Sequence, residues 1–123
     1  MSDMLTRQEI SDKIVRSLRK QGYRRAESQA SGLPVLIDPW TGDRCAGGHL
    51  LPPDFAERLP HFDLLNPFSE VPLEIRLECG VSEDDKNFVA FYQAAHDEGR
   101  TPELMESKLK QTVEYLDMLW PTD

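Results

Sequence analysis

The sequence predicts a single α+β domain over residues 1–123. It is mostly helical, with helix 1 followed by a short β-hairpin and a C-terminal antiparallel αα-hairpin. Three observations predict it. Residues 6–22 carry helix signals at both ends. Residues 35–46 place two short apolar runs around Asp38-Pro39 and Thr41-Gly42-Asp43. Residues 82–121 hold two apolar stripes at helical spacing, parted by Gly99-Arg100-Thr101-Pro102.

Helix 1 opens on a capping box. The Thr6 hydroxyl and the Glu9 carboxylate can satisfy orphan amides reciprocally, and Leu5 and Ile10 stand where a hydrophobic staple forms. Ile10, Ile14, Val15 and Leu18 make one apolar stripe. Gly22 suits the left-handed position after the helix. Arg16, Arg19, Lys20, Arg24 and Arg25 make this end basic, which matches the helix dipole. Residues 26–32 are small and polar and read as loop. Val35-Leu36-Ile37 and Arg44-Cys45-Ala46 then read as the strands of the hairpin, joined by strong turn chemistry. Gly47-Gly48 allows a bend or a close backbone approach. Residues 53–59 fit one or two helical turns.

Residues 71–79 carry two conflicting signals. Val71, Leu73, Ile75, Leu77 and Cys79 alternate with polar residues and Pro72, as in a half-buried strand. Pro72 and Gly80 also fit the ends of a short helix. Beyond them, Ser82 with Asp85 reads as an N-cap. Phe88, Phe91, Tyr92 and Ala95 supply an apolar face, and Gly99 ends that helix. Thr101-Pro102 starts the last helix, with proline at its first position. Its stripe runs through Met105, Leu109, Val113, Leu116 and Leu119-Trp120.

Composition narrows the function. A chain of this size can bury a core without staples. No apolar run is long enough to span a membrane. The start, Met1 to Thr6, lacks a basic region followed by an apolar one, so no signal peptide is read and a cytoplasmic location is expected. Cys45 and Cys79 are then expected as free thiols. The net charge of −8 is uneven. Residues 1–60 hold nine Lys/Arg and eight Asp/Glu, whereas residues 61–123 hold five and fourteen. Such a balance argues against broad nucleic-acid binding.

Three constellations could carry chemistry. His49 follows the predicted hairpin, with Asn66 downstream, as in an HNH-type metal-dependent nuclease. Gly48, however, occupies the place of a second ligand, and no His or Asn falls near Glu74 to Arg76. Cys45, His49, His61 and Cys79 have the ligand types of a zinc site but no knuckle spacing. His96-Asp97-Glu98 lies in a last helical turn, where a histidine commonly caps carbonyls. Adjacent helix residues do not face one another, which argues against an acid/base cluster. No metal, cofactor or catalytic residue is therefore predicted.

At Cys45-Ala46-x-Gly48 and Leu50-Leu51-Pro52 the chain resembles a family of small phage and prophage proteins of unknown function. Gln21-Gly22 matches that family's helix end, and Gln93 with Ala95-His96-Asp97 matches a later helix. The likeness covers roughly residues 10–98. It departs at Gly47, where the family favours Val, and at Leu36-Ile37, where it favours Tyr-Arg. The resemblance implies phage origin, and with it the cytoplasm of a bacterial host; it brings no activity.

The leading expectation is a non-enzymatic accessory or interaction protein of phage type. In its specific form it is an acidic inhibitor of a host protein with a basic surface, without direct nucleic-acid or membrane contact. The HNH-like nuclease centred on His49 is the alternative. The candidate binding residues are Glu103, Glu106, Glu114 and Asp117, paired three apart on helix faces, together with Trp40 and His49 of the turn-rich segment.

Overall fold

Capping residues set both ends of α1 (Arg7–Lys20). In the computed structural model, which describes residues 4–122, the Glu9 amide donates to Thr6 Oγ1 at 3.1 Å. The Thr6 amide donates to Glu9 Oε1 at 2.8 Å. The part of the leader reading that falls on residues 1–3 lies outside the described residues. At the other end Gly22 has φ +81°. The Tyr23 amide bonds the Leu18 carbonyl, and the Gly22 amide bonds that of Arg19. That pair of bonds is a Schellman closure. Ile10, Ile14, Val15 and Leu18 are fully buried, as their spacing predicts.

The α+β class needs correction, because among the described residues no β-hairpin forms and the fold is helical with irregular connections. Among the described residues there is no sheet, only isolated bridges at Glu27–Pro34 and Ile37–Arg44. Two antiparallel bonds do form, from the Asp38 amide to the Asp43 carbonyl and from the Cys45 amide to the Leu36 carbonyl. The ladder stops there because its remaining amides go elsewhere. The Leu36 amide bonds the Leu64 carbonyl, and the Arg44 amide bonds Gln21 Oε1. Pro34 and Pro39 have no amide to give.

Short helical pieces follow. A 3₁₀ turn at Gly48–Leu50 leads to α2 (Phe55–Arg58) and to a second turn at Phe68–Glu70. Residues 71–79, open from sequence, contain the helix α3 (Leu73–Glu78). The Ile75 and Arg76 amides both bond the Pro72 carbonyl, and Gly80 stops the helix at φ +84°. Glu83–Asp85 is a 3₁₀ turn and α4 (Lys86–Glu98) begins after it, so the expected Ser82 side-chain cap is not made.

The last helix, α5 (Pro102–Tyr115), starts as predicted, with the Leu104 amide on Thr101 Oγ1. Lys108 meets Glu98, and the Tyr115 ring meets Phe91. These pairs have one sequence sum, so α4 and α5 run antiparallel. Of the predicted α4 face, Phe88, Tyr92 and Ala95 are buried whereas Phe91 is exposed. α5 ends at Tyr115, earlier than its apolar stripe suggests, because Asp117 turns left-handed at φ +60°. The tail then returns to α1. Leu119 exchanges two bonds with the Gln8 amide group, and the Pro121 carbonyl accepts from Arg19. One core joins α1, the 35–55 segment, α4 and α5.

Candidate functional site

Gln21 organises the segment that carries the predicted loop residues. Its Oε1 accepts from the Arg44 amide, and its Nε2 donates to the carbonyls of Arg24 and Arg44. Arg44 then reaches the carbonyls of Gly48, Leu51, Pro52 and Pro53. Of the two readings of Gly47-Gly48, close approach holds. A Cβ on Gly48 would sit 2.1 Å from the Leu36 carbonyl oxygen, and one on Gly47 2.7 Å from Phe68 Cβ.

His49 is half-buried on the turn that follows, and its Nε2 is buried with no hydrogen-bond partner. Burial, aided by Arg44, pushes its pKa down to about 4. Among the described residues no three His, Cys, Asp or Glu side chains group as metal ligands, so Cys45, His49, His61 and Cys79 are not brought together. Cys45 is buried, and desolvation pushes its thiol up to about 12. Burial raises Cys79 to about 11. Neither offers a thiolate nucleophile near neutral pH.

His96 is not the helix cap that its position suggests. It is fully buried, and its Nε2 accepts from the Ala26 amide at 3.0 Å. That bond leaves the proton of a neutral ring on Nδ1, which faces Asp97 Oδ1 at 2.8 Å. The adjacent residues therefore do meet, because Nδ1 is the ring nitrogen nearest the backbone and the aspartate is short. Gln93 completes the network. Its Nε2 donates to Asp97 Oδ1, and its Oε1 accepts from the Gly47 amide. The cluster ties α4 to Ala26 and Gly47 in the stretch between α1 and α3. His96 has no nitrogen left for acid/base work.

Trp40 stands 80% exposed on a turn that its neighbours hold rigidly. Asp38 Oδ1 accepts from the Trp40 amide, Gln29 donates to Asp38 Oδ2, and the Gly42 amide bonds the Asp38 carbonyl. Three arginines at the basic end of α1 are also committed. Arg24 is bidentate to Asp43, Arg25 holds Glu27 and the Asp97 carbonyl, and Arg19 lies over Trp120.

The acidic candidates divide. On α5, Glu103, Glu106, Lys110 and Glu114 recur at helical spacing along one flank. Glu106 is tied to Lys110 at 3.7 Å. Glu103, Glu114 and Asp117 are exposed and, among the described residues, form no ion pair. The residues whose organising role the sequence reading did not assign are Gln21 and Gln93, named there only through the resemblance, and Arg44. Their partners lie far along the chain, and no local pattern marks them.

Comparison with family models, with curated proteins and with solved structures finds no match to this chain. Among the described residues no helix is long and apolar enough to cross a membrane.

Proposed function

We propose that the chain is a non-enzymatic interaction protein that docks a basic surface of a partner protein through the outer flank of α5. The observation that carries this reading is the set of exposed carboxylates of Glu103, Glu114 and Asp117, unpaired among the described residues. Net charge of the same sign surrounds them, since residues 61–123 hold fourteen acids and five bases. Exposed charges of one sign steer a complementary partner and speed its association. The phage resemblance makes a bacterial host protein the proposed target. A surface that ordinarily meets nucleic acid has the required charge, and blocking it would make this chain an inhibitor.

The test is capture from host lysate followed by kinetics on the protein retained. Changing Glu103, Glu114 and Asp117 to lysine should slow association about tenfold or more at low salt, and added salt should erase the difference. A partner that binds the triple variant as fast as the wild type would remove the acidic flank from the function.

A further inference from the structure

A cleft of about 240 Å³ runs along α4, between that helix and the Phe68–Glu70 turn. Phe68, Val89, Ala90 and Ala94 form its apolar wall, and Gln93 and Asp97 close one end. Asp97 is held there against the helix dipole, since a carboxylate in a last turn faces the negative end. Neutral groups hold it. His96 carries its proton on Nδ1 because its Nε2 accepts from Ala26, and Gln93 is an amide. Both donate to Oδ1, while among the described residues Oδ2 accepts no hydrogen bond. Of Asp97, Arg25 reaches the backbone carbonyl and not the carboxylate, and its other partners are Glu27 and the Gly32 carbonyl. Lys86 lines the far end, about 16 Å along the helix, and is bound to Glu83 at 2.6 Å. Among the described residues no lysine or arginine pairs with the Asp97 carboxylate.

We propose that this cleft receives a lysine side chain from the partner protein, its methylenes on the apolar wall and its ammonium on Asp97 Oδ2. This rests on the reading of the chain as a protein that docks a basic partner. The volume lies below the range of pockets for free small ligands, about 300–1,000 Å³, and so suits one side chain. A single free carboxylate oxygen suits a compact ammonium better than the two-pronged guanidinium of arginine.

The probe is N-acetyl-lysine methylamide, followed by amide chemical shifts of the whole protein. Saturable shifts confined to the cleft are expected, at least about tenfold weaker for the uncharged norleucine counterpart. Asp97→Asn should abolish them. That variant also disturbs His96, so Ala90→Leu, which fills the exposed wall and leaves the network intact, provides the second arm and should abolish them too. Changing Glu103, Glu114 and Asp117 to lysine should leave them in place, which separates this site from the α5 flank. Equal binding of the norleucine probe, binding that survives Ala90→Leu, shifts centred on α5, or no shifts at all would each overturn the proposal.

Discussion

The irregular segment between α1 and α3 and the α4–α5 hairpin satisfy their backbones in opposite ways. Every buried amide and carbonyl needs a partner. In the hairpin, helical bonds and the Thr101 cap supply them. In the irregular segment long side chains do so. Gln21 serves Arg44, Arg44 serves four carbonyls, Gln93 serves Gly47, and His96 serves Ala26. The cost is that those polar groups face inward. Residues 1–60 hold nine of the fourteen cations, yet the guanidiniums of Arg19, Arg24, Arg25 and Arg44 are all committed to the fold. A self-sufficient hairpin leaves its carboxylates outward. Charge available to a partner thus follows from how the backbone is satisfied more than from composition.

The largest effect should come from removing a side chain that does backbone work. Arg44→Ala strands the carbonyls of Leu51 and Pro53 and leaves those of Gly48 and Pro52 with only the Leu51 and Phe55 amides. A loss of about 3 kcal/mol is expected, within the range for two orphaned acceptors and two weakened ones. Arg44→Lys should recover little, because one ammonium cannot replace the fork. A urea midpoint that moves by less than about 1 kcal/mol in Arg44→Ala would break the contrast between the two regions.

The next effect reads the same segment through pH. His49 is depressed from 6.5 to about 4 by burial and Arg44. Above pH 6.5 the ring is neutral folded or unfolded, and its contribution is fully present. As pH falls, the unfolded chain takes up the proton first. Stability should therefore drop between about 6.5 and 4, by up to about 3 kcal/mol. His49→Leu removes the titration and the orphaned Nε2, so its stability should fall less over that window than the wild type's. Parallel pH curves for the two proteins would show that His49 does not titrate as its burial implies.

What was legible in the sequence follows the same division. The capping box at Thr6 and Glu9, the Gly22 closure and Thr101-Pro102 are satisfied within a few residues, so local spacing reveals them. Val35, Leu36 and Ile37 read as a hairpin strand and are buried, but the Val35 amide bonds the Ala26 carbonyl, the Leu36 amide bonds that of Leu64, and their neighbour Arg44 is claimed by Gln21. A strand reading has no access to such distant partners. Residues 71–79 carry the period of a strand and the end signals of a helix, and the helix prevails because the Pro72 carbonyl and Gly80 bracket it. On α5, spacing located the acidic flank, but it could not show that Lys110 claims Glu106. At α4, the meeting of His96 with Asp97 escaped a rule that holds for helix surfaces and fails for a buried ring.

The smallest effect compares two helix ends that share one hydrogen-bond pattern. α1 and α5 both close with a six-to-one bond, Tyr23 to Leu18 and Met118 to Val113. The left-handed position is Gly22 in the first and Asp117 in the second, at φ +81° and +60°. Aspartate tolerates that region at a cost, and its charge also faces the negative end of the helix dipole. Asp117→Gly should relieve both. The larger entropy of an unfolded glycine offsets part of this, leaving a gain of about 0.5 kcal/mol. The reverse change, Gly22→Asp, should destabilise by a comparable amount or more, because a Cβ there lies 3.1 Å from the Arg24 guanidinium. Asp117→Gly also removes one of the outward carboxylates. If the α5 flank docks a basic partner, the same substitution should raise the denaturation midpoint and slow association, and restoring the charge with Asp117→Asn plus a neighbouring acid, Leu119→Glu, should restore association. A midpoint that falls in Asp117→Gly would mean that Asp117 stabilises the helix end, leaving no stability cost for a docking role to explain.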